Sequence, residues 1–125
     1  MGKLSAIFAA AALLLVAPAV HARTSAYPTC FGAPATIVGT SGNDVIYGTN
    51  FDDVIVALAG ADQVHGRAGN DRLCGNRGSD TLFDGFGSDR IDGGDGIDTL
   101  YLCPDGAFDS WVNVERVIQS QLGCN

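Results

Sequence analysis

The sequence predicts an all-β fold in which very short strands stack in successive coils. Three observations lead to this prediction: a nine-residue unit repeats seven times without a gap, glycine recurs at two positions of the unit, and an aliphatic residue recurs at a third. Glycine permits the tight turns between strands, and a three-residue strand sends only its middle side chain to one face. Because one unit cannot bury that side chain alone, the units must stack to form a core.

The repeat array covers residues 39–101. Its units read GTSGNDVIY, GTNFDDVIV, ALAGADQVH, GRAGNDRLC, GNRGSDTLF, DGFGSDRID and GGDGIDTLY. Position 6 is always aspartate, namely Asp44, Asp53, Asp62, Asp71, Asp80, Asp89 and Asp98. Position 8 is always aliphatic, namely Ile46, Ile55, Val64, Leu73, Leu82, Ile91 and Leu100. Glycine stands at position 4 except for Phe51, and at position 1 except for Ala57 and Asp84.

This pattern resembles G-G-x-G-x-D-x-U-x, the nonapeptide of the RTX (haemolysin-type) calcium-binding repeats. The chain is most similar to small secreted calcium-binding proteins that contain little besides such repeats. The resemblance implies a right-handed parallel β-roll, in which each GGxGxD half forms a turn and each x-U-x half forms a short strand. It also implies that Ca²⁺ binds between stacked turns.

Two units per coil would stack each unit on the next but one and align the aspartates in two rows. The first row contains Asp44, Asp62, Asp80 and Asp98, and the second row contains Asp53, Asp71 and Asp89. Carboxylates about 5 Å apart repel by roughly 3 kcal/mol at an effective dielectric of about 20. Ca²⁺ in each gap would reverse this repulsion, since it takes six to eight oxygen ligands, whereas Mg²⁺ fits less well. The two rows leave five gaps, so we expect at most five calcium sites within the array.

The gaps differ in how well their turns match the repeat. Phe51 replaces a turn glycine, so we expect a distorted second turn and a poorer gap between Asp53 and Asp71. Three further aspartates could add ligands or lie on the solvated surface, which we favour: Asp52, Asp92 and Asp95. Alternatively the roll folds without metal, and aspartate serves only to form turns. That alternative is disfavoured because asparagine, serine and glycine also form turns, yet none replaces aspartate at position 6.

Residues 1–22 are predicted to be a secretory signal peptide. Lys3 supplies positive charge, an apolar run follows from Leu4 to Ala17, and Val20-His21-Ala22 has the small-x-small pattern of a cleavage site. A membrane-spanning helix needs about 20 apolar residues, which disfavours an anchor. We expect cleavage after Ala22, or alternatively after Ala26, and an extracellular location. The net charge of −7 also disfavours nucleic acid and anionic membranes as partners.

The four cysteines all follow the predicted cleavage site: Cys30, Cys74, Cys103 and Cys124. An even number of cysteines in a small secreted chain indicates disulfides. A zinc site is disfavoured because the sequence has no close cysteine pair such as C-x-x-C. We favour Cys103–Cys124, which closes a loop around the C-terminal tail, together with Cys30–Cys74, which lays the leading segment on the outer face of the roll. Cys74–Cys103 is the main alternative pair.

The flanking segments, residues 23–38 and 102–125, are predicted to be caps. Ile37 falls at the inward position of a degenerate leading unit. In the tail, Val112-Asn113-Val114 alternates like a strand, and terminal units of a solenoid must cover its open core. Trp111 is expected to pack in this cap, although it could instead form a ligand platform.

An enzyme is not predicted. His65 is the only histidine after the cleavage site, so an H-E-x-x-H zinc site is excluded; a G-x-S-x-G elbow is also missing, and no serine is placed to form a triad. Two functions remain: a secreted calcium-binding protein that folds on binding Ca²⁺, or an extracellular adhesion or surface-recognition solenoid with structural calcium. The outward position 7 shows no threonine ladder for ice binding, whereas the more apolar position 9 leaves adhesion open.

Overall fold

The computed structural model describes residues 27–124, and all regular elements within this range are β-strands. The predicted signal peptide lies outside the described residues. In chain order the strands are β1 (Thr29–Cys30), β2 (Ala33–Pro34), β3 (Ile37–Val38), β4 (Val45–Tyr47), β5 (Val54–Val56), β6 (Gln63–His65), β7 (Arg72–Cys74), β8 (Thr81–Phe83), β9 (Arg90–Asp92), β10 (Thr99–Leu102), β11 (Ser110–Val112) and β12 (Arg116–Gln119). Residues 27–124 contain no helix long and apolar enough to cross a membrane.

Ten of these strands form two parallel sheets. One sheet has the order β4-β6-β8-β10-β12, and the other has the order β3-β5-β7-β9-β11. Within the array each residue pairs with the residue 18 positions later, as Ile46 does with Val64 and Ile55 with Leu73. Two units therefore complete one coil, and the predicted parallel β-roll is confirmed.

The core lies between the two sheets and is one side chain wide. All seven aliphatic residues of position 8 are buried, from 0% exposed at Leu73 to 8% at Ile46. Ile37 and Val114 pack against this cluster from outside the array. The alternation of a three-residue strand explains the arrangement, because only its middle residue faces the other sheet.

Position 9 points outward as predicted, but much of it is covered. On one sheet, Val56 and Cys74 are buried with Cys30, because the antiparallel pair of β1 and β2 lies over them. On the other sheet the rings of Tyr47, His65, Phe83 and Tyr101 form a continuous stack, with centroids 4.3–4.8 Å apart. We call these four rings the outer aromatic stack.

Both disulfides have the predicted pairing, Cys30–Cys74 and Cys103–Cys124. The first fastens the leading segment to the outer face of β7. The second brings Gly123 against the ring of Phe83, where a Cβ would overlap the ring. The end of the tail therefore packs on the outer aromatic stack and not on the open end of the core.

The tail continues the roll. β11 pairs in parallel with β9, and β12 pairs with β10, so both sheets run past residue 101. Trp111 lies opposite Ile91 and Val117 opposite Leu100, yet these two end residues are 42% and 39% exposed. Residues 110–119 thus form the last coil of the roll and do not fold over it as a separate lid.

Candidate metal sites in the stacked turns

The seven position-6 aspartates lie in the two expected rows. Along each row the backbone N–H of one aspartate donates to Oδ1 of the aspartate 18 residues later, at 2.7–2.9 Å. These bonds run from Asp44 to Asp62, Asp62 to Asp80, Asp80 to Asp98, Asp53 to Asp71 and Asp71 to Asp89. One carboxylate oxygen of each later aspartate therefore holds adjacent coils in register.

Glycine at position 1 makes room for the second oxygen. A Cβ on Gly66 would lie 2.9 Å from Oδ2 of Asp71, the aspartate of the same unit, and would overlap the carbonyl oxygen of Asp84 in the next coil. The repeat places a residue without a side chain there because the carboxylate and the neighbouring turn occupy that space.

Five of these second oxygens have no hydrogen-bond partner among residues 27–124. Oδ2 is buried and accepts no hydrogen bond from any residue of the range 27–124 in Asp62, Asp71, Asp80, Asp89 and Asp98. Buried polar atoms are rarely left without a partner in folded proteins. Each of the five aspartate pairs therefore has one unpaired carboxylate oxygen, which belongs to the later aspartate of the pair.

The first aspartate of each row differs from the others. Oδ2 of Asp44 accepts the backbone N–H of Thr40, and Oδ2 of Asp53 accepts that of Thr49, both at 2.6 Å. Each threonine hydroxyl also donates to the same carboxylate. Because their own turns satisfy both aspartates, the first coil closes the rows without an unpaired oxygen.

Phe51 does not break the row at the Asp53/Asp71 gap, although its turn does differ from the later turns. The N–H of Asp53 donates to Oδ1 of Asp71 at 2.8 Å, as elsewhere in the rows. The later position-4 glycines have positive φ, but neither Phe51 nor Gly42 does. The first two turns thus share a conformation that tolerates a side chain, and the ring of Phe51 is exposed.

Burial makes the charged form of these aspartates unfavourable. It raises the pKa of Asp71 to about 7, of Asp80 to about 6 and of Asp89 to about 8, against an ordinary value of 3.8. The pKa values of Asp62 and Asp98 are raised for the same reason. Neighbouring carboxylates add to the effect, whereas the hydrogen bonds along the rows oppose it. A cation beside the unpaired oxygens would favour the charged form.

A family comparison agrees with this geometry. The model of the RTX calcium-binding nonapeptide repeat, which spans four copies, matches residues 38–73, 47–82 and 72–100. Together these matches cover just over half of the chain. The chain belongs to the RTX calcium-binding nonapeptide-repeat family. No curated protein and no solved structure matches it significantly.

The RTX rows extend past the last RTX unit, which sequence reasoning missed. The N–H of Asp89 donates to Oδ1 of Asp109 at 3.0 Å, and that of Asp98 donates to Oε2 of Glu115 at 2.8 Å. These partners lie 20 and 17 residues along the chain, so they are out of phase with the nonapeptide. The signal was an acidic residue directly before each strand, in Asp109-Ser-Trp-Val and Glu115-Arg-Val-Ile.

Position 5 of the RTX unit forms a second series of hydrogen bonds between coils. Here the side chain of the earlier residue accepts and the backbone N–H of the residue 18 positions later donates, the reverse of the aspartate rows. Oδ1 of Asn43 accepts the N–H of Ala61, and Oδ1 of Asp52 accepts that of Asn70, both at 2.8 Å. Asp52 is exposed as predicted, but its carboxylate holds two coils together. The short polar residues that recur at position 5 were the available signal: Asn43, Asp52, Asn70, Ser79 and Ser88.

Proposed function

We propose that this protein is a secreted calcium-binding protein whose stacked turns bind Ca²⁺ and fold on binding it. The observation that carries the proposal is that the later aspartate of every pair in the two rows has a buried Oδ2 without a hydrogen bond from residues 27–124. A hard cation binds such an oxygen together with the carbonyl oxygens of Gly-rich turns. The proposed metal residues are the seven position-6 aspartates: Asp44, Asp53, Asp62, Asp71, Asp80, Asp89 and Asp98.

Calcium-dependent folding follows from the energetics of the rows. Without a cation, folding buries carboxylates whose charged form burial disfavours. Each independent site filled at about 100 times its Kd adds roughly 2.7 kcal/mol to stability. Several such sites would outweigh the cost of bringing the carboxylates together beside a core only one side chain wide.

The deciding experiment is a Ca²⁺ titration of the oxidised protein followed by far-UV circular dichroism. We expect a loosely folded chain in calcium-free buffer and a cooperative gain of β-structure at millimolar Ca²⁺, with Mg²⁺ much less effective. An identical spectrum with and without Ca²⁺ would refute calcium-driven folding.

Secretion is part of the proposal and is supported by two disulfides in a small RTX chain. The predicted cleavage after Ala22 can be checked by the N-terminal sequence of the protein recovered from culture medium. Recovery of uncleaved protein from the cell interior would count against it. We further propose that the protein is not an enzyme.

A surface-recognition function is the second candidate, and the outer aromatic stack favours it. Tyr47 is 55% exposed, and the guanidinium of Arg67 lies 5.4 Å from its ring centroid. Calcium would then be structural, and the surface would bind a partner outside the cell. Capture from extracellular matrix with and without chelator, using Tyr47→Ala as the comparison, separates the two functions.

A further inference from the structure

Asp84 is an unusual residue for its place in the repeat. It occupies position 1 of the sixth unit, where five of the seven units have glycine. The side chain is 1% exposed. Its Oδ1 accepts the backbone N–H groups of Gly85 (2.7 Å) and Cys103 (2.9 Å), and its Oδ2 lies 3.2 Å from the nitrogen of Cys103. The carboxylate is therefore held rigidly between the sixth unit and the next coil.

The other units indicate that the unpaired oxygen of Asp89 lies on the side of position 1, which Asp84 occupies in the sixth unit. Wherever position 1 is glycine, a Cβ added there would lie close to Oδ2 of the aspartate in the same unit. The distance would be 2.9 Å from a Cβ on Gly39 to Asp44 and 3.1 Å from a Cβ on Gly48 to Asp53. The sixth unit has a side chain at that place. Oδ2 of Asp89 is buried, in a residue 1% exposed, and no group within residues 27–124 donates a hydrogen bond to it.

Asp109 completes the group. One oxygen from each of Asp84, Asp89 and Asp109 lies within 4.8 Å of the other two. Oxygens this close together can bind one Ca²⁺, because ligands on opposite sides of that ion lie up to about 5 Å apart.

We propose that Asp84, Asp89 and Asp109 form a three-carboxylate calcium site that fastens the last coil to the array. Two of its three ligands lie outside the aspartate column, so the nonapeptide pattern does not contain this site. It shares Asp89 with the proposed Asp71/Asp89 turn site, but the positions of Asp84 and Asp109 support it independently. Because Asp109 directly precedes β11, an ion bound here would tie that strand to the turn of the sixth unit.

Terbium provides a direct probe, because Tb³⁺ occupies Ca²⁺-type oxygen sites and its emission is sensitised by a nearby indole. Trp111 is the only tryptophan of the chain and follows Asp109 by two residues. The oxidised full chain would be titrated with Tb³⁺ under tryptophan excitation. The test variants are Asp84→Asn and Asp109→Asn, which keep Oδ1 as an acceptor and remove the charge.

Asp105→Asn is the matched control, since Asp105 lies in the same tail and accepts the N–H groups of Gly87 and Ala107 outside the cluster. We expect both test variants to bind Tb³⁺ at least about tenfold more weakly, with the control unchanged and Ca²⁺, but not Mg²⁺, competing. Undiminished sensitised emission in either test variant, or equal loss in all three, overturns the proposal.

A second measurement separates charge from structure. In metal-free buffer, Asp84→Asn should show at least as much β-structure by circular dichroism as the unchanged protein, because it removes a buried charge, while the urea midpoint should rise less as Ca²⁺ is raised to saturation. A variant that has less β-structure without Ca²⁺ but the same rise of the urea midpoint with Ca²⁺ has lost only a structural residue, and the proposal fails. Asp80→Asn tests the turn sites separately, because Asp80 lies in the first row, whereas the three-carboxylate cluster contains Asp89 of the second row.

Discussion

At the scale of the residue, each later aspartate of a row uses its two oxygens differently. Oδ1 accepts a backbone N–H from the preceding coil and sets the register, as between Asp62 and Asp80. Oδ2 is buried without a hydrogen bond from residues 27–124. Asparagine preserves the first role and removes the charge of the second, so it distinguishes a structural aspartate from a ligand.

We predict that Asp71→Asn and Asp80→Asn raise the Ca²⁺ midpoint of folding by about tenfold each, since one lost charge-assisted ligand is worth roughly 1.4 kcal/mol. Both variants should keep the hydrogen bonds along the rows. Circular dichroism during a Ca²⁺ titration measures the midpoint.

The comparison variant for this prediction is Asp105→Asn, whose carboxylate is exposed in the tail. Its midpoint should stay close to that of the unchanged protein. Equal shifts in all three variants would show that the effect comes from net charge and not from ligands in the rows.

At the scale of the element, the turns are of two kinds. The first two turns are closed by a threonine that donates to its own aspartate, as Thr40 does to Asp44. The later turns have positive φ at position 4, as at Gly60 (+121°). The second kind brings each turn close to the backbone of the preceding coil, and this close approach excludes a side chain.

We predict that Gly60→Ala destabilises the calcium-bound protein by about 3 kcal/mol or more, because this φ is almost restricted to glycine and the added Cβ would overlap the carbonyl of Gly42. Gly42→Ala is the matched control from the same repeat position. Its Cβ would have Thr40 Oγ1 as nearest neighbour at 3.7 Å, so the expected change is within about 1 kcal/mol.

Urea unfolding in saturating Ca²⁺ measures both changes. Similar losses of stability in the two variants would mean that the first and later turns have the same conformation, contrary to the structure.

At the scale of the whole molecule, two parallel sheets enclose a narrow core between two rows of carboxylates, and two disulfides fasten the ends to the outer faces. The chain carries a net charge of −7, and its most buried acids lie in these rows and beside them. Stability should therefore depend strongly on pH and on cations together.

We predict that the calcium-free protein loses stability as the pH rises from about 4 to about 8. Burial raises the pKa of Asp80 to about 6, of Asp71 and Asp84 to about 7, and of Asp89 to about 8. The folded state therefore holds protons that the unfolded chain has already released, and ionising these groups favours unfolding. Asp105, whose pKa is lowered by hydrogen bonds from Gly87 and Ala107, contributes only below this range.

The β-structure signal in far-UV circular dichroism, recorded in metal-free buffer across this pH range, tests the prediction. Calcium affinity should change in the opposite direction and increase with pH, since Ca²⁺ competes with protons for the same oxygens. A metal-free β-structure signal that stays constant or grows as the pH rises would contradict the prediction.

Much of the fold follows from the repeat alone. Because units that start 18 residues apart stack directly on each other, Ile46 has to lie beside Val64 and Asp44 beside Asp62. The inward position 8 follows from strand alternation, and the two rows follow from the phase of the aspartates. These inferences need only local geometry repeated at a constant interval.

The tertiary structure alone decided what depends on the non-repeating segments and on atom-level packing. Asp109 joins the second row although it lies 20 residues from Asp89, because the tail inserts extra residues before β11. Asp84, which replaces the usual glycine at position 1 of its unit, lies beside both of them. Which carboxylate oxygen remains unpaired also depends on three-dimensional contacts, since a one-letter pattern identifies a ligand type but not the partners of its individual atoms.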